Sequence, residues 1–151
     1  MKKNILLVIL LICIAGLGTM YYNKVDNYKY LQSSIDQRFQ QQMGLLISAL
    51  NNLNNETIEA NEEYKQVLYS LTYLRNMMAL TTYNKKNKKL EEAINYLYDY
   101  EDKDLLIQSE LVNPDNLELK QILGHFHMDL NSEKNATLLI NFLKKDKKNI
   151  H

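Results

Sequence analysis

Cysteine is almost missing from this 151-residue chain, which has one, at position 13. A single thiol forms no internal disulfide and supplies no cysteine-based zinc site. Proline occurs once, glycine four times and tryptophan not at all. So few turn-forming residues argue against an all-β fold and against glycine-rich phosphate loops. An excess of charge is missing too. Eighteen basic residues balance eighteen acidic ones, so the chain sets up no strong field for nucleic acid, and no nucleic-acid partner is expected. The length suits one domain of ordinary size.

What is present begins at the N-terminus. Lys2 and Lys3 form a short positive head, and Ile5 to Met20 then run without a charge. Sixteen helical residues rise roughly 24 Å, which is short of a hydrocarbon core of about 30 Å. Tyr21 and Tyr22 extend the run to about 27 Å and would sit at the interface, where tyrosine is favoured. Lys24 closes it. The expectation is an uncleaved signal anchor over residues 1–22. A cleaved signal peptide, giving a secreted helical protein, is the alternative, with Gly16 and Gly18 as a small-x-small pair. Lipoprotein processing at Cys13 is disfavoured, because Ile12 stands where a small residue is usual. A soluble buried helix is disfavoured by the lysine pair directly before the apolar run. Lys24, Lys29 and Arg38 nearly balance the head, which still tips the expected orientation to head inside and body outside.

From residue 27 onward, apolar positions recur at three and four, and no strand-type alternation of useful length is found. Tyr28, Leu31, Ile35, Phe39, Met43, Leu46, Leu50 and Leu53 mark a first amphipathic helix. Asparagines 51, 52, 54 and 55 predict a turn near Asn54–Glu56. Ala60, Tyr64, Val67, Leu71, Leu74 and Met78 mark a second helix. Positions from Met43 to Met78 also keep an unbroken heptad phase, so one continuous coiled-coil rod is the rival. Thr57 and Ala60 are weak core residues at the critical spot. The flanking positions Ile47, Ala49, Leu68 and Met77 are too apolar for a two-stranded coil. Both features favour the turn.

The polar stretch Tyr83–Lys89 predicts a loop. Leu90, Ala93, Ile94, Leu97, Tyr100 (or Tyr98), Leu105 and Val112 mark a third helix, with Asp99–Asp104 on its wet side. Asn113-Pro114-Asp115 reads as a cap followed by a first helical proline. Leu119, Ile122, Leu123, Phe126 and Leu130 follow. Asn131-Ser132-Glu133 is a second capping signal, so the last arm is expected to be broken there. Ala136, Leu139, Ile140 and Leu143 finish it, and Lys144–Lys148 reads as a frayed basic tail. The expected fold is all-α: a membrane helix, then an antiparallel up-down bundle of the four-helix type over 23–148.

Candidate sites are few. His125 and His127, two apart, point to different sides of a helix and make a poor metal pair; His125 with Asp129 shares a face but gives too few ligands. Asp99–Asp104 has Lys103 and Asp104 where a calcium loop needs an oxygen ligand and glycine. Asn55 and Asn135 begin glycosylation sequons, but asparagine is abundant here. Tyr64, Tyr73, Tyr96, Tyr98 and Tyr100 suggest an aromatic pocket, or simply core-edge packing. No catalytic constellation can be assigned from spacing, and neither an enzyme nor a cofactor is expected.

The architecture is similar to the helical-bundle sensing domains of single-pass bacterial receptors, a likeness of fold and not of function. The expected role is a membrane-anchored interaction or assembly module at the bacterial cell envelope, with membrane lipids and a protein partner or self-association. A small-ligand sensor coupled to another membrane protein is the alternative. In an up-down bundle whose C-terminus returns to the membrane, ten lysines collect at one end: Lys24, Lys29, Lys85, Lys86, Lys88, Lys89, Lys144, Lys145, Lys147 and Lys148. They form the candidate membrane-surface site, since each lysine near an anionic surface adds about 1 kcal/mol. Tyr21 and Tyr22 are the candidate interface anchors.

Overall fold

A computed structural model describes residues 2–53, 62–113 and 115–150, with side chains from Ile12 onward. The described part is 89% helical and contains no strand. The chain divides into two units, Met1–Ser34 and Ile35–His151.

The first unit is the beginning of helix α1, Lys2–Asn52. Its described large apolar side chains, among them Ile12, Ile14, Leu17, Met20, Tyr21 and Tyr22, are exposed. Thr19 donates its hydroxyl to the Gly16 carbonyl at 2.8 Å, so this polar group is satisfied within the helix. Among the described residues no helix is long and apolar enough to cross a membrane. The expected membrane helix therefore lacks support here. The charge-free run has sixteen residues where a span needs about twenty. Its first part, residues 5–11, lies outside the described side chains.

The expected apolar face of α1 begins at Tyr28, yet Tyr28 and Leu31 are exposed. Burial starts only in the second unit, at Phe39, and continues through Met43, Leu46, Leu50 and Leu53. Helix α2, Glu62–Met77, opens on Glu62 and Glu63, which suit the positive end of the helix dipole. It buries Val67, Leu71 and Leu74. Gln42 Nε2 donates to Ser70 Oγ at 2.7 Å. Thr82 N donates to Asp36 Oδ1 at 2.8 Å. Later residues of α1 thus meet earlier residues of the next arm, so the two are antiparallel. The continuous rod is overturned; the turn itself, expected at Asn54–Glu56, lies outside the described residues.

A single 3-10 turn, Met78–Leu80, follows α2. Buried Thr81 then caps α3, Thr82–Lys86, by accepting from Asn84 N. Helix α4, Leu90–Tyr98, buries Leu90, Ala93, Ile94 and Leu97. It does not run on to residue 112 as expected. Asp102 accepts from Leu105 N and starts α5, Lys103–Gln108. Ser109 accepts from Leu111 N and starts a further 3-10 turn. Both side chains hold backbone N–H groups that a continuous helix would have used.

The next helix begins later than the proline signal suggested. Asn116 caps α6, Leu117–Met128, by accepting from Leu119 N. Pro114 lies outside the described residues. Asn113 Oδ1 instead accepts from Asp115 N at 3.0 Å. The signal near Asn131 marks a full reversal. Asp129 Oδ1 accepts from Asn131 N, and Ser132 Oγ accepts from Asn135 N. Helix α7, Glu133–Ile150, then runs back along α6, with Asn135 Nδ2 donating to His125 O at 3.0 Å.

Among the described residues the second unit therefore has five main arms where four were expected: α1 from Ile35, α2, α4, α6 and α7. Their shared core includes Phe39, Leu74, Ile94, Phe126 and Leu139. Each such side chain contributes about 1.5–3 kcal/mol by leaving water.

Candidate functional site

The extra reversal decides where the lysines go. Asn87, just before α4, donates to Ser132 O, just before α7. Tyr100, just after α4, donates to Leu143 O and Asp146 Oδ2, near the end of α7. Helices α4 and α7 are therefore parallel. Lys85, Lys86, Lys88 and Lys89 lie at the start of α7, where Lys88 N donates to Glu133 Oε1. Lys144, Lys145, Lys147 and Lys148 lie at its other end. Glu133 and Lys145 are separated by roughly 18 Å of helix, about two Debye lengths at physiological salt. The two groups thus start from opposite ends of α7, although Lys89 and Lys144 reach the same Glu92 carboxylate. The expected site assumed a C-terminal arm that returns once; it turns twice. Lys24 and Lys29 belong to the first unit, where both are exposed beyond the exposed Tyr21 and Tyr22.

Several lysines are already engaged. Lys89 and Lys144 both pair with Glu92, at 2.7 and 3.1 Å, and Lys147 pairs with Asp99. The two lysine hydrogen bonds hold the Glu92 carboxyl below its usual range, and the bond to Glu92 raises Lys144. The Lys144 and Lys147 amines also stand 5.0 and 5.6 Å from the Tyr96 ring centroid. These are solvent-facing pairs, and pairs of that kind add little to stability.

The most demanding polar group was read as part of a frayed tail. Asp146 is only 4% exposed. Its two oxygens accept from the Tyr100 hydroxyl at 2.8 Å and from Glu110 N at 3.1 Å. One carboxylate thus ties α7 to the end of α4 and to the turn after α5. Burial first, then the Asp146 carboxylate, raises the Tyr100 proton-release point well above the ordinary tyrosine value. A signal was available: Ala136, Leu139, Ile140 and Leu143 step on to position 146 at helical spacing, so the core stripe of α7 includes it.

Asn87 does the same at the other end. It is fully buried. Its amide donates to Leu130 O at 2.9 Å and to Ser132 O at 3.2 Å, and its oxygen accepts from Lys89 N at 2.9 Å. A loop asparagine so placed locks the 87–89 turn to the 130–132 turn. Asp36 takes both Thr82 donors, N and Oγ1, beside it. Burial, with Asp36 second, also raises the Tyr83 hydroxyl.

The remaining candidates are separately engaged. Tyr98 lies under the Arg75 guanidinium, 4.0 Å from the ring centroid, and Tyr100 is buried on Asp146. Tyr64 and Tyr73 are half-buried on α2. Asp102 caps α5 and Asp99 holds Lys147. His125 is exposed. His127 Nε2 stands 3.2 Å from Gln40 O, a pairing that puts its proton on Nε2. Gly44 permits that approach, because a Cβ there would lie 3.2 Å from the same nitrogen. Asn135 gives its amide to His125 O; Asn55 lies outside the described residues. Among the described residues no group of three or more His, Cys, Asp or Glu is placed to hold a metal ion. No protein-family model matches this chain, and no curated protein or solved structure is similar to it.

Proposed function

We propose that this chain is a helical-bundle interaction or assembly module held at a bacterial cell membrane by its N-terminal helix, with the bundle outside. The carrying observation is the first unit. Ile12, Ile14, Leu17 and Met20 are exposed on a helix whose run from Ile5 to Met20 has no charge. An apolar helix of this kind is stable in lipid or against protein, not in water. Tyr21 and Tyr22 end the run as amphipathic rings, and Lys24 follows. This is the order expected where a helix leaves the hydrocarbon for the head groups. The internal Thr19 to Gly16 bond suits lipid, which offers its hydroxyl no partner. The short run is met by local thinning of the bilayer or by lysines reaching outward, at a modest cost per ångström.

The second unit supports the binding role rather than a chemical one. Its buried polar groups, Asp146, Asn87 and Ser70, are consumed in holding arms together.

Alkaline carbonate extraction of membranes from cells making the full chain, with intact mass of the extracted protein, tests this reading. The full-length mass in the carbonate-resistant fraction is expected. Release into the supernatant, or a mature chain starting near Thr19, overturns it.

A further inference from the structure

We infer that one face of the first unit, from Ile14 to Leu31, pairs in parallel with the same face of a second copy of this chain. Ile14, Leu17, Tyr21, Tyr28 and Leu31 fall on one heptad stripe of α1, and they are 58–74% exposed. The stripe keeps its phase from the charge-free run into the segment carrying Lys24, Asp26 and Lys29. Lipid covers its first half under the membrane-anchored reading, on which this inference rests. Lipid does not cover Tyr28 and Leu31, which stand beside charged residues.

A partner for the whole stripe must be a helix that passes from apolar to aqueous surroundings at the same height. A second α1 anchored in the same membrane meets that condition, because its residues stand level with their own counterparts. A two-fold axis along the helices then makes the stripe self-complementary. The flanking positions Gly18, Met20, Val25, Asn27, Gln32 and Ser34 carry no charge, so no like-charged pair at the flanks opposes the approach. Aromatic side chains bury about 150–250 Å² each. Two tyrosines and three smaller aliphatic side chains per copy, ten largely exposed side chains in all, reach roughly 1,000 Å² in total, the scale a specific interface requires. Packing supplies the contact inside the membrane, and burial of Tyr28 and Leu31 supplies it outside. Lys24 is the exception on the stripe. It meets its own counterpart, which weakens the pair and disfavours other registers.

Cysteine cross-linking in membranes tests this. The full chain carries Cys13→Ser with one of Tyr28→Cys, Leu31→Cys, Lys29→Cys or Ser33→Cys. Oxidised dimer is expected at 28 and 31, at least fivefold above that at 29 and 33. Adding Lys24→Leu to the Leu31→Cys chain should raise the dimer yield further. Equal yields at all four positions, or no dimer at any, overturn the pairing. Carbonate extraction of the same samples reads the membrane location separately, so a soluble chain with periodic cross-linking refutes the anchor and keeps the pair.

Discussion

Phe39, Met43, Leu46 and Leu50 on the second half of α1 are buried, whereas Leu17, Tyr21, Tyr28 and Leu31 on its first half are exposed. Both sets repeat at three and four along one helix. The spacing shows in each case that a face needs covering. It does not show what covers it. Over the second half the cover is the chain's own α2 and later arms, recorded in bonds such as Gln42 to Ser70. Over the first half the proposed cover is lipid and a second copy of the chain.

The sharpest way to break this contrast is truncation on either half. Phe39→Ala should lower the unfolding free energy by about 3–5 kcal/mol, because it empties a fully buried site. Tyr30→Ala, at an exposed site off the pairing stripe, should change it by less than about 0.5 kcal/mol. Urea unfolding of the detergent-solubilised full chain, followed by circular dichroism, compares the two. Equal losses would mean that the halves are covered alike.

Next in size are the two polar locks that close the bundle at its ends. Asn87→Ala removes the side-chain partner of the Leu130 carbonyl and the Lys89 N–H and one of the two donors to the Ser132 carbonyl. About 2–3 kcal/mol should be lost in the same unfolding assay. Asp146→Ala leaves Glu110 N without its side-chain acceptor and the Tyr100 hydroxyl with only the Leu143 carbonyl, for about 1–3 kcal/mol. Hydrogen exchange should then quicken at the end of α7 and in residues 100–112, while the first half of α1 stays unchanged.

A smaller effect probes the second unit by pH. The buried Tyr100 holds its proton beyond the ordinary tyrosine value of 10.0. Below pH 10 Tyr100 is protonated both folded and unfolded, so its contribution is constant. Above it the unfolded chain releases the proton first, and stability falls as pH rises. Tyr100→Phe should flatten that alkaline slope. Thermal melts between pH 9 and 11 read this. The smallest effect belongs to the surface pairs. Lys144→Met, which removes the contact with Glu92, should leave the urea midpoint within the error of the measurement.

Much of the second unit was legible in the residues. The stripes Phe39–Leu53, Val67–Met78, Leu90–Leu97 and Ala136–Leu143 face the core as their spacing requires. The reversals were less legible. Asn131-Ser132-Glu133 carries a cap signal, but a cap specifies where a helix starts and not the angle at which the chain arrives. The Asn87 side chain sets that angle from 43 residues away. The segment after Tyr98 was misread because Asp102 and Ser109 look like exposed polar residues until their oxygens take backbone N–H groups. Asp146 was hidden by the four lysines around it. The direction of α7, and with it the rooting of the two lysine groups at its opposite ends, followed from those local bonds and from no composition or charge count.

The central claim is that lipid surrounds the start of α1, and the native thiol at Cys13 reports on it most directly. It is exposed in the chain itself, so only its surroundings can protect it. Intact membranes containing the full chain would be treated with a membrane-impermeant maleimide. A second sample would carry Ser33→Cys in a Cys13→Ser background. The account predicts that Cys13 stays unlabelled until detergent is added, whereas the thiol at position 33 is labelled at once. Labelling of Cys13 in intact membranes as fast as position 33 would contradict it.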